Sequence, residues 1–139
     1  MPAENESLRQ LVEYSQWASR KLLAFASTVP EQDVARAIPN SHGGILKTFQ
    51  HIYYADRIWL ARMKRASVMP FEDPAPGPSL AVLAETWWPL LDEMEAFAKS
   101  CNPDEYLTFK RLNGEESALP YGQVIRHVVN HGTYHRGQV

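Results

Sequence analysis

Three histidines, His127, His131 and His135, follow one another at four-residue intervals in the closing stretch VIRHVVNHGTYHRGQV. On an α-helix, at about 100° per residue, successive members are offset by only about 40°, so all three share a face. Val124, Val128 and Tyr134 fall near that face, with Ile125 at one edge. The histidines are therefore expected to point inward. A buried imidazole needs a partner for each ring nitrogen. A chain that ends this way has to surround its last helix with other elements.

The remaining sequence supplies them. Residues about 5–28 read as a first helix, with Leu8, Leu11, Ala18, Leu22 and Phe25 recurring at helical spacings. Residues 29–42 form a connection containing Pro30 and Pro39, with one short helical turn around 32–37. A second helix is expected over about 43–66, with Gly43-Gly44 in its first turn and a stripe of Ile45, Phe49, Ile52, Trp59 and Met63. No strand precedes the glycine pair and no Lys–Ser/Thr pair follows, so it is not a phosphate loop. Residues 67–78, with four prolines, read as a stiff linker. Ser79 caps a third helix to about Ser100, which Pro89 should kink near Glu85. Asn113-Gly114 signals a short two-residue hairpin, and the final helix starts near Pro120 or Tyr121. That helix meets no stop signal before Val139, so the natural chain is expected to continue. The fold class is all-α: a four-helix bundle with long connections and one domain over 1–139.

Composition excludes other classes. Apolar residues make up 45% and charged residues 22%, too rich in core-formers for a disordered chain. The formal charge is −2 and the basic residues are scattered, so no nucleic-acid footprint is visible. No run approaches the roughly 18 apolar residues of a membrane span. The start, MPAENESLRQL, is polar and unlike a signal peptide. A lone cysteine, Cys101, excludes an internal disulfide and all-cysteine zinc sites. A cytoplasmic protein with a small-molecule partner is the class that remains.

Histidines at i and i+4, such as His131 and His135, can hold one metal ion from adjacent turns, as the HExxH zinc helix does. No glutamate follows His131, so the metalloprotease version with its built-in base is not supported. His51, on the margin of the second helix's apolar arc, can reach across a bundle seam as a third ligand. Three imidazoles leave positions open for water or substrate. The plainer reading, satisfied or solvated histidines, stays open on spacing alone.

The run Asn130–Val139, NHGTYHRGQV, resembles the histidine signature of the DinB-like metal-binding family. Tyr14-Ser15-Gln16-Trp17, His51 and the stretch ADRIWL at 55–60 match further parts of its pattern, in order. The resemblance implies an up-down-down-up four-helix bundle, commonly a homodimer. It implies a divalent metal, zinc or nickel, on His51, His131 and His135. His127 matches a family histidine that is not a ligand. Members include transferases and isomerases that use a low-molecular-weight thiol. A metal-dependent hydrolase and a non-catalytic, metal-stabilised ligand-binding protein are the alternatives.

Other residues follow from position. Asp56 falls inside the apolar arc of its helix and Arg136 near the inner side of the last, so Asp56 is expected to be buried and to contact either Arg136 or a histidine of the last helix. They form either a structural ion pair or, with His127, supports that orient the metal ligands. Trp87-Trp88 reads as core and interface packing, which favours a homodimer. His42, at a loop–helix junction, carries no expected role.

Overall fold

Leu8, Val12, Gln16, Ser19, Leu23 and Ala26 are buried on the first helix, a stripe at steps of three and four residues. Two of its six members are polar, which hides the stripe from a reading of apolar residues alone. Phe25, expected inside, is 70% exposed. In the computed structural model, which describes residues 2–39, 42–65 and 79–139, this helix is α1, Pro2–Ala26. It is followed by α2 (Glu31–Ala35), α3 (Ile45–Met63), α4 (Leu80–Ser100), β1 (Tyr106–Lys110), β2 (Glu116–Pro120) and α5 (Tyr121–Arg136). The described chain is mostly helical, with one small antiparallel sheet. The linker at 67–78 and the residues Asn40 and Ser41 lie outside the described residues. No helix among the described residues is long and apolar enough to cross a membrane.

α1 packs on α4 and α5, and α3 packs on α4 and α5. One core cluster joins Leu8 and Val12 to Met63, Met94, Leu107 and Val124. A second joins Leu23 and Val34 to Phe49, Ile52, Leu83 and Trp87. Trp87 is wholly buried and Trp88 half-buried, so the pair offers less free surface than the dimer argument assumed. Among the described residues, the exposed large aromatic side chains are Tyr14, Trp17, Phe25, Tyr106 and Tyr134. α4 is capped as expected, with Ser79 Oγ accepting from Val82 N at 3.3 Å, and it runs on through Pro89.

Three local expectations need correction. Asn113-Gly114 does not make a two-residue hairpin: the ladder closes at Lys110↔Glu116, and Gly114 N donates to Arg111 O at 2.9 Å. Gly114, at φ +90°, takes the left-handed position of this longer turn. α5 ends at Arg136, where Gly137 and Gln138 turn back with N–H bonds to Thr133 and His135 carbonyls.

Gly43 and Gly44 precede α3 instead of opening it, with φ +86° and +146°. Ile38 N donates to Gly43 O at 3.0 Å, and the His42 ring beside Gly43 lies against His51 of α3. A Cβ on Gly44 would stand 2.6 Å from the Arg36 carbonyl oxygen, a backbone atom with little freedom to yield. Gly44→Ala is therefore expected to cost roughly 1–3 kcal/mol and lower the melting temperature by several degrees. Gly114→Ala, where φ is also positive but nothing lies within 4 Å, should cost less. Equal thermal shifts for the two variants would contradict this account of the loop.

Candidate metal centre

The buried residues of α5 set the direction of its histidines. Val124, Val128, Gly132 and His135, with Tyr121, Ile125 and Val129, occupy one continuous arc. Each four-residue step turns by about 40°, so the histidine row drifts across the edge of this arc. His135 lies inside it and is buried, His131 is half-buried at its margin, and His127 falls outside and is exposed. Tyr134, expected near the inner face, is 67% exposed. The inward orientation thus holds for His135 and in part for His131, and not for His127.

α3 brings His51 to the same place. The ring centroids of His51 and His131 are 4.9 Å apart, and those of His51 and His135 are 4.4 Å apart. His131 and His135 are also 4.4 Å apart. His42 joins them: its ring stacks on His51 at 4.0 Å and meets His135 at 4.8 Å. The ligand-capable atoms of His42, His51 and His135 all lie within 4.8 Å of one another. The sequence reading gave His42 no role. Its only signal was the glycine pair beside it, which has meaning once the chain is known to double back there.

Burial and the neighbouring imidazoles favour the neutral form of the His42, His51 and His131 rings. His51 is pulled down to about 4, first by burial and then by His42 and His135. His131 is also pulled down to about 4, by burial and then by His135, His51, His127 and His42. His42 is lowered mainly by burial. Neutral imidazoles are the form that binds a cation.

The donor set fits a divalent ion. Nε2 of His51 faces Nε2 of His131 at 3.1 Å. Two nitrogens about 2.0–2.1 Å from one ion stand roughly 3.0–3.4 Å apart. Nδ1 of His131 is buried with no hydrogen-bond partner among the described residues, and an ion on Nε2 would leave it so. His135 is oriented instead: its Nδ1 lies 2.6 Å from Gln138 Oε1, and an Nδ1–H donating to that oxygen leaves the Nε2 lone pair available.

Asp56 is buried, in agreement with its place in the α3 arc, but the expected meeting with Arg136 takes another form. Its carboxylate accepts from the indole Nε1 of Trp87 at 2.9 Å. Arg136 Nη1 instead crosses to α1, donating to Ser15 Oγ and Ser19 Oγ, each at 3.0 Å. Gly132 leaves the lane for it: a Cβ there would sit 2.8 Å from Arg136 Nη1. The guanidinium therefore reaches Asp56 only through space. Burial pushes the Asp56 carboxyl up to about 7, against the opposing effects of the Trp87 hydrogen bond and the Arg136 charge. The helical phase gave the right faces, while the partners were decided by hydroxyls on α1 that no charge argument could reveal. Asp56 makes no hydrogen bond to a histidine among the described residues. His127 rests on Trp59, with ring centroids 5.3 Å apart.

Comparison with the curated proteins finds no match. Comparison with family models finds one, the DinB family, whose match spans residues 1–139, the whole chain. The chain belongs to the DinB family.

Proposed function

We propose that this protein holds a divalent ion, zinc or nickel, through His51, His131 and His135, and serves as a transferase or isomerase for a low-molecular-weight thiol. The observation that carries the reading is the approach of two neutral imidazoles, Nε2 to Nε2 at 3.1 Å, across the α3–α5 seam. The chemistry such an ion supplies is positive charge, which lowers the pKa of a thiol at an open position. The protein's residues supply the rest. Gln138 fixes the His135 ring, Arg136 ties α5 to α1, and His42 stands at the edge of the cluster. The long helices are read as the up-down-down-up bundle of the family, with the ligands at one seam. A cytoplasmic homodimer belongs to the same proposal, now resting on exposed Tyr14, Trp17 and Tyr134.

The hydrolase alternative wants a base beside the ion. Asp56 is occupied by Trp87, and His127 is exposed with its ring 6.5 Å from that of His131. Neither favours it.

Cobalt(II)-loaded protein tests the proposal. Addition of a small thiol is expected to produce a thiolate-to-cobalt charge-transfer band, absent with the corresponding alcohol and absent in His51→Ala. A cobalt spectrum indifferent to thiols would overturn the thiol reading, and failure to bind cobalt at one ion per chain would overturn the metal reading.

A further inference from the structure

A cavity of about 480 Å³ opens between the hairpin and the helices α3 and α5. Its volume lies within the roughly 300–1,000 Å³ typical of small-molecule sites. Trp59 and Phe109 form one wall, their rings edge-on at 5.0 Å, and Leu112 and Leu119 line the hairpin side. Phe109, opposite Ser117, and Leu119, opposite Leu107, belong to the same face of the hairpin as diagonal neighbours. Leu112 is 59% exposed, an apolar side chain held in water at the rim.

The polar members of the lining are one-sided. Arg62 and Arg111 contribute guanidinium groups, and no lining residue is an aspartate or glutamate. The Arg62 guanidinium lies over both aromatic rings, 4.6 Å from the centroid of Trp59 and 5.0 Å from that of Phe109. It donates from Nη2 to Lys110 O at 3.1 Å, while its Nε is buried without a partner among the described residues. Arg111 donates Nε to Ser117 Oγ. Neither arginine has a carboxylate within ion-pair distance among the described residues. A planar cation held over two aromatic rings, with no carboxylate partner among the described residues, suits an anion that carries an apolar ring.

We propose that this cavity binds a small aryl carboxylate, with its ring against Trp59, Phe109 and Leu119 and its carboxylate at Arg62. His127 lines the far side, so the occupant would stand one helical turn from His131. The inference goes beyond the metal reading and does not depend on it.

Calorimetric titration with 2-naphthoate tests it, using 2-naphthamide as the neutral analogue, on both chelator-treated and zinc-loaded protein. Naphthoate is expected to bind one site with a dissociation constant in the millimolar range or tighter in both preparations. The amide should bind at least roughly tenfold more weakly, and Arg62→Gln should weaken naphthoate by a similar factor. Amide NMR shifts should gather at Phe109, Leu112, Leu119 and His127. Equal affinity for the acid and the amide, or shifts centred elsewhere, would overturn the proposal even if Arg62→Gln failed to fold. Binding seen only with zinc and lost in His51→Ala would overturn it too, because the anion would then be a ligand of the ion.

Discussion

Replacing His51 or His131 with alanine is expected to abolish most of the stability that added zinc or nickel gives the protein. The two residues meet from different helices, so an ion shared between them links α3 to α5 in the folded state alone. At a thousandfold excess over its dissociation constant, a ligand specific to the native state stabilises it by about 4 kcal/mol. For a chain of this size that corresponds to a rise of roughly 10–20 °C in melting temperature. Thermal denaturation with metal and with chelator measures the difference directly. The wild-type protein should show the rise, while His51→Ala and His131→Ala should show little of it. A similar rise in both variants would place the ion elsewhere.

The same cluster has a sign in pH. His51 and His131 are held near 4 in the folded protein, below the ordinary histidine value of about 6.5. Between those limits the unfolded chain binds protons that the folded one does not, so metal-free stability falls as pH drops from about 6.5 toward 4. Above about 6.5 both states are neutral at these rings and their contribution is flat.

Asp56→Ala should be strongly destabilising in the metal-free protein, at a cost of roughly 2–4 kcal/mol. Trp87 is wholly buried, and its indole N–H would lose its only acceptor among the described residues. An unsatisfied buried donor costs roughly 1–3 kcal/mol, and the vacated volume adds to that. Asp33→Ala, on the short and mostly exposed α2, should stay within about 0.5 kcal/mol. Asp56→Asn keeps an acceptor for Trp87 and should cost much less than alanine. It should also change the pH profile. The Asp56 carboxyl is raised to about 7 from an ordinary value near 3.8. The folded state then holds a proton that the unfolded state has released, so this group stabilises fully below about 4 and loses its contribution as pH rises toward 7. That slope opposes the histidine slope in the same window. Chemical denaturation of metal-free protein across pH 4–8 should therefore be flatter for wild type than for Asp56→Asn, where only the histidine slope remains. Indistinguishable profiles for the two proteins would show that Asp56 is ionised throughout. Metal affinity in Asp56→Asn should change by no more than about ten- to a hundredfold, since the carboxylate supports the fold and touches no ligand.

Helical periodicity and punctuation were enough to locate the long helices, because an amphipathic helix repeats one local rule many times and its errors average out. The same periodicity put Asp56 at the middle of its buried arc and His51 at the margin of the same helix. The i, i+4 spacing of His131 and His135 and the DinB signature around them were equally legible, being local. Where the argument turned on a single residue near an arc boundary it failed: His127 and Tyr134 lie only about 40–60° from His131, and packing on α1 and α3 decided which side of the seam they fell. Pairings between distant residues were decided by tertiary structure alone. Nothing in the sequence says that Arg136 will bond Ser15 and Ser19, that Trp87 will bond Asp56, or that two glycines at positive φ will fold His42 onto His51. Each depends on the relative depth and rotation of two elements, which sequence spacing along either one does not encode.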